Sequence, residues 1–165
     1  MLFNLLLGSA AVTTAASVPR NTPRLAATDE YIWQIAKWQA GESHGNPATP
    51  ITGWYDFNVS AAEYGQGAAR IPPFAAHCEG VADGRPLASE YAGCTLTAAD
   101  GTSSASVSAR VLPEQDVQAH IAISYVFDSN DESSTERNFT VVVVEDWARE
   151  RPPHDFTVQP TETQN

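Results

Sequence analysis

The sequence predicts an all-β protein, a single antiparallel β-barrel or sandwich of about seven to eight strands with one disulfide. Three observations lead there. The stretch Val117 to Phe127, VQAHIAISYVF, sets Val117, Ala119, Ile121, Ile123, Tyr125 and Phe127 against Gln118, His120, Ala122, Ser124 and Val126. Successive side chains of a strand point to opposite faces, so this period of two buries one face, whereas a helix would scatter the six apolar residues around its axis. Shorter runs of the same period recur with Gly, Pro and Asp-Gly turn signals between them, the pattern of an antiparallel sandwich or barrel. No stretch makes a convincing long helix.

At the N-terminus an apolar run from Leu2 to Leu7 is followed by small residues, with no charged side chain before Arg20. This reads as a secretory signal peptide, and Thr14-Ala15-Ala16 supplies the small residues for cleavage after Ala16. The run is too short to span a bilayer. The expected organisation is a signal peptide at 1–16, a flexible leader at 17–28, a β-barrel domain at 29–146 and a Pro-containing C-terminal tail at 147–165. Cleavage leaves 165 − 16 = 149 residues, one domain's worth of chain. A domain of roughly 150 residues buries about 70% of its unfolded surface, enough for a real core.

Taken in order, Asp29 to Gln39 reads as a strand with Tyr31, Trp33 and Ile35 on one face and Ile32, Ala36 and Trp38 on the other. Glycines and Pro47 make 40–47 a loop. Ile51 to Ser60 alternates Tyr55, Phe57 and Val59 with Trp54, Asp56, Asn58 and Ser60, a strand with one wet face. Ala61 to Pro73 is a loop by its glycines and prolines; Phe74 to Glu79 and Tyr91 to Thr97 are short strands separated by a turn-rich segment. Asp100-Gly101 suits a hairpin turn, after which Val107, Ala109 and Val111 alternate as a hairpin neighbour of the long strand. Asp128 to Arg137 is a polar loop, and Asn138 to Asp146 is a strand whose four valines, Val141 to Val144, predict burial on both faces. Beyond Trp147 no period is sustained, and an eighth strand requires Phe156 to Gln159 to pair.

Two cysteines, Cys78 and Cys94, have 94 − 78 − 1 = 15 residues between them. In an exported chain such a pair forms one bridge, which contributes on the order of 3 kcal/mol by restricting the unfolded chain. The paired spacing of zinc ligands is absent. Two sequons, Asn58-Val59-Ser60 and Asn138-Phe139-Thr140, are N-glycosylation acceptors whose asparagines face outward. The formal charge of −11, from 20 acidic and 9 basic residues, repels phosphate backbones and anionic headgroups. The charge therefore argues against nucleic acid and membrane as partners, and a basic protein is electrostatically suited.

The residues select no catalytic, cofactor-binding or metal site. His44, His77, His120 and His154 are scattered, and no Gly-x-Ser-x-Gly elbow occurs. Asp128-Ser129-Asn130-Asp131-Glu132 lacks the spacing and glycine of a calcium loop. Trp33, Trp38, Trp54, Tyr55 and Tyr64 read as aromatics that fill or flank a core, with a ligand platform as the alternative.

The order of Tyr31-Ile32-Trp33-Gln34-Ile35, Phe57-Asn58-Val59-Ser60-Ala61, His77-Cys78-Glu79 and Tyr91-Ala92-Gly93-Cys94 resembles the Alternaria major-allergen family of small secreted fungal proteins. The likeness runs motif by motif over about residues 29 to 97. It implies an antiparallel β-barrel with the bridge at Cys78 and Cys94, secretion by a fungus and no catalytic residues. It also implies an effector or allergen that engages host extracellular proteins of the thaumatin-like defence class, or a small aromatic ligand. No cysteine follows Cys94, so the family's second bridge has no counterpart. With no third cysteine for a covalent dimer, self-association is expected to be a weak homodimer. The expected function is that of a secreted, non-enzymatic binding protein without cofactor; the alternatives are a small secreted hydrolase acting on polysaccharide or RNA and a structural cell-wall protein.

Overall fold

The long alternating run forms a strand, Gln118–Asp128, whose odd positions Ala119, Ile121, Ile123, Tyr125 and Phe127 are all buried. The computed structural model describes residues 30–43, 51–99, 104–113, 118–129, 135–147 and 152–163. The expected signal peptide and leader, His44, the Asp100-Gly101 turn and Val117 lie outside the described residues. The strands are β1 (Trp33–Ser43), β2 (Thr52–Ala61), β3 (Phe74–Asp83), β4 (Ala92–Gly93), β5 (Thr95–Ala99), β6 (Ser106–Val111), β7 (Gln118–Asp128), β8 (Glu136–Asp146), β9 (His154–Val158) and β10 (Thr161–Thr163). They form two five-stranded sheets in the orders β5-β3-β2-β1-β9 and β10-β8-β7-β6-β4, every pairing antiparallel.

The all-β class holds, and the architecture is a sandwich, not the closed barrel that the resemblance implied. Among the described residues no ladder joins the two sheets. The chain itself turns the corners instead: β4 and β5, on one flank, are separated only by Cys94, and β9 and β10, on the other, only by Gln159 and Pro160. Strands that switch sheets at a bend are a known way to close the flanks of a sandwich. The disulfide sits at the first corner, joining Cys94 to Cys78 on the buried face of β3, with a Cα separation of 4.5 Å.

Between the sheets, side chains of β1, β2 and β3 interdigitate with those of β6, β7 and β8. Trp33, Ile35, Tyr55, Phe57 and Val59 come from the first sheet, and Val107, Ile121, Ile123 and Tyr125 from the second. Phe74 stacks on Tyr125 with ring centroids 4.1 Å apart. Buried phenols still need partners, and both central tyrosines find one across the core or at its rim. The Tyr55 hydroxyl donates to the Ala109 carbonyl at 3.0 Å, tying the sheets together, and the Tyr125 hydroxyl donates to the Pro72 carbonyl at 3.3 Å.

Four expectations are corrected. Residues 40–43 are the end of β1 and not a loop, with Ala40 to Ser43 paired to Tyr55 to Thr52 on β2. Trp38 does not share a face with Ile32; it is buried with Trp33 and Ile35, because the register of β1 shifts after Ala36. The extra residue is Lys37, at φ 55°, whose N–H donates to Asp155 Oδ1 at 2.8 Å. A bulge of this kind inserts one residue and so returns the next side chain to the core side. The valine run is buried on one face only: Val143 is inside, while Val142 and Val144 are 48% and 45% exposed. Its β8 neighbour β10 covers only Asn138 to Thr140. Finally, the segment read mostly as a tail supplies β9, the pairing that the eighth strand required, and also β10, so that the described residues form ten strands.

Near one end of the core, Tyr31 packs against Trp33, Tyr64 and Phe139. Neither its hydroxyl nor Trp33 Nε1 reaches a hydrogen-bond partner at full bonding distance. Burial pushes the Tyr31 hydroxyl up to about 12, opposed in part by the nearby Trp33 N–H and the Arg137 guanidinium. A group whose folded pKa exceeds its unfolded value near 10 loses its stability contribution as pH rises through the folded value. Thermal unfolding is therefore expected to keep its midpoint up to about pH 10 and to fall between about 10 and 12. In Tyr31→Phe that part of the alkaline fall should disappear, and an equal fall in both proteins would show that another group titrates.

Candidate functional site

Strands β1, β2 and β3 lie side by side, and their registers arrange the outward side chains of the first sheet in rows. Gln39 pairs with Asp56 and Asp56 with Glu79; Ala36 pairs with Asn58 and Asn58 with His77; Gly41 pairs with Trp54 and Trp54 with Val81; Ser43 pairs with Thr52 and Thr52 with Asp83. One row is thus apolar and its neighbours are polar or acidic. The buried alternation of Tyr55, Phe57 and Val59 with Ala76, Cys78 and Ala82 forces this set outward.

Trp54 is the tryptophan of β1 and β2 that the core does not take: Trp33 and Trp38 are buried, and Trp54 is 37% exposed. Its indole lies across Gly41 on the facing strand. A Cβ built on Gly41 would come within 2.7 Å of Trp54 Cε2, Cζ2 and Nε1, so the absence of a side chain there is what lets the ring settle on the sheet. Beside it Val81 is 63% exposed. At the edge of this pair the Thr52 hydroxyl donates to Asp83 Oδ1 at 2.7 Å.

The next two rows bring ionisable groups together. His77 Nδ1 lies 3.2 Å from Asn58 Oδ1 and 3.9 Å from Asp56 Oδ1, and His77 Nε2 lies 4.0 Å from Glu79 Oε2. One ligand atom each from Asp56, His77 and Glu79 can be chosen so that all lie within 4.8 Å of one another. Among the described residues no Lys or Arg forms an ion pair with either carboxylate.

The other sequence candidates are spread apart. Asn58 and Asn138 sit half-exposed on the outer faces of opposite sheets, Asn138 Oδ1 accepting from the Ser124 hydroxyl at 2.8 Å. His120 lies on the outer side of β7 opposite Val144, and His154 Nε2 is 3.8 Å from Glu145 Oε2. A shallow groove of about 260 Å³ is lined by Pro73, Phe74, Ala75, Ala98 and Ala99, none of which carries a hydrogen-bonding side chain. Among the described residues it offers a small aromatic ligand contact area and no polar side chain to orient it. What sequence reasoning missed is the Asp56–His77–Glu79 group. The signal was present as two period-two pairs, Asp56-x-Asn58 and His77-x-Glu79, on separate strands, and only the β2–β3 register brings them face to face.

The fold and this face define a disulfide-bonded antiparallel β-sandwich with an exposed tryptophan set among carboxylates. Compared with known protein families, curated proteins and solved structures, the chain matches none.

Proposed function

We propose that the chain is a secreted, non-enzymatic binding protein, effector-like or allergen-like, glycosylated at Asn58 and Asn138, whose partner docks on the outer face of the first sheet. The observation that carries this reading is the row of Trp54 and Val81 bounded by Asp56, Glu79 and Asp83. An aromatic anchor within a polar rim is the anatomy of a protein-binding patch, and aromatic residues hold much of the energy in such patches. Three carboxylates on a chain of formal charge −11 favour a basic partner, chiefly through the rate of encounter. The bridge at Cys78 and Cys94 fits an oxidising, extracellular setting, and no described helix is long and apolar enough to cross a membrane. The motif order given above supports a fungal source and a host defence protein of the thaumatin-like class as that partner.

The test is to immobilise the mature glycosylated protein and pass over it extracellular fluid from a candidate plant host, with the reduced protein as control. Saturable capture of one basic defence protein by the oxidised form is expected. Trp54→Ala should weaken it by at least about tenfold, the scale of a truncated hot-spot residue. Gly41→Ala keeps the indole but lifts it off the sheet, and should weaken capture as well. Capture that ignores both substitutions, or no capture by folded protein, would overturn the reading.

A small secreted hydrolase draws on one observation, that Asp56 and Glu79 are direct cross-strand partners with oxygens close enough to act on one substrate. Turnover of a polysaccharide that vanishes in Glu79→Gln would establish it in place of the binding reading.

A further inference from the structure

We propose that Asp56, His77 and Glu79 bind one divalent cation of the zinc class on the outer face of the first sheet. The site is independent of which partner docks there. Its two carboxylates are electrostatically mismatched. Asp56 and Glu79 are directly opposite one another on β2 and β3, and like charges at directly opposite positions destabilise a sheet. Both belong to an already acidic chain, and among the described residues the only basic group within ion-pair distance of either is His77.

The imidazole is oriented for coordination. His77 Nδ1 faces the Asn58 carbonyl oxygen at 3.2 Å, and in the neutral tautomer that donates to this oxygen the lone pair is on Nε2. A metal-binding histidine is held in this way, with its other ring nitrogen donating to a neighbouring oxygen. Asn58 fills that second role through Oδ1, which leaves its Nδ2 for a glycan. The Nε2 lone pair then confronts the Glu79 carboxylate at 4.0 Å, acceptor against acceptor. A cation held between the two turns that repulsion into attraction, and a proton on Nε2 is the competing way to do so. Zinc takes imidazole nitrogen and carboxylate oxygen at about 2.0 to 2.2 Å, which sets two tetrahedral ligands about 3.4 Å apart. Glu79 is an exposed side chain with room to close the remaining gap, and Asp56, whose Oδ1 lies 3.9 Å from His77 Nδ1, is half-exposed and supplies the third ligand by turning toward Nε2.

The backbone beneath is held from the other side. Cys78, between His77 and Glu79, is fully buried and bonded to Cys94. Two carboxylates neutralise a divalent ion, and the imidazole selects a borderline ion over calcium or magnesium, which prefer oxygen alone. With three protein ligands, the fourth position is open to water or to a group from a partner.

The experiment is a titration of the chelator-treated, exported protein with zinc chloride against a chromophoric chelator, alongside imidazole NMR of the same sample. One equivalent of zinc is expected to bind, with the His77 ring signals shifting first. His77→Ala and Glu79→Gln should each weaken uptake by at least about tenfold. His154→Ala, which removes an imidazole facing Glu145 elsewhere, should bind as the parent does, and calcium should not compete. No zinc uptake by folded protein would mean that an imidazolium alone satisfies the carboxylates. Uptake that survives His77→Ala, or a shift at another histidine in place of His77, would equally overturn the proposal, and the NMR reading on the parent stands even if a variant fails to fold.

Discussion

Replacing Ile123 by Asp is expected to eliminate the folded protein. Ile123 is fully buried at the middle of β7, between Ala109 on β6 and Val141 on β8. Truncating a buried isoleucine costs about 2 to 5 kcal/mol by itself, and an unpaired carboxylate in that place adds a desolvation penalty of several more. A domain whose whole stability is about 5 to 15 kcal/mol does not survive both. Secreted yield and the presence of a cooperative thermal transition report the result. Val144→Asp is the matched control, since it places the same charge on the outer face of β8, where surface changes stay within about 0.5 kcal/mol. Normal yield and midpoint for Ile123→Asp, or equal damage from both variants, would refute the assignment of faces in the second sheet.

That contrast also marks how far the sequence could be read. In the second sheet β6 and β7 were legible because they are hairpin neighbours with uninterrupted alternation, so one strand's phase fixes the other. In β1 the phase was lost at Lys37: a bulge leaves no mark in a hydrophobic pattern except the misplaced Trp38, and its partner Asp155 lies 118 residues away. The valine run misled for a different reason. Four β-branched residues in a row satisfy strand propensity on either face, so they indicate a strand without saying which side is wet. At the C-terminus, β9 and β10 are short and flank their sheets, and an edge strand has little apolar pattern to show. The candidate site was hidden by register. Asp56 and His77 are separated by the loop between β2 and β3, and no local rule gives the pairing that sets Asp56 opposite Glu79 and Asn58 opposite His77.

Removal of the disulfide is the second large effect, and its pattern tests how the corner is built. The double variant Cys78→Ala/Cys94→Ala is expected to lose about 3 kcal/mol, the value for a closed loop of this length, which lowers the thermal midpoint of a domain this size by about 6 to 12 °C. The loss should also be uneven in space. β4 is two residues long, β5 is exposed along its whole length and among the described residues pairs with β3 alone, and Cys94 between them is held by its bridge and by the bond from its N–H to the Val107 carbonyl. Hydrogen exchange in 92–99 should therefore accelerate strongly. The β2–β3 ladder runs through 10 residue pairs without a shift, so amides of 54–58 and 76–80 should stay protected at the global level. Uniform acceleration across both segments would mean that the bridge stabilises only by constraining the unfolded chain, and no change in either would mean that the corner is held by its backbone bonds. Zinc uptake measured on the same variant separates two origins of the Asp56–His77–Glu79 geometry. Retained affinity assigns it to the ladder, and lost affinity with intact exchange protection assigns it to the anchoring of Cys78 beneath.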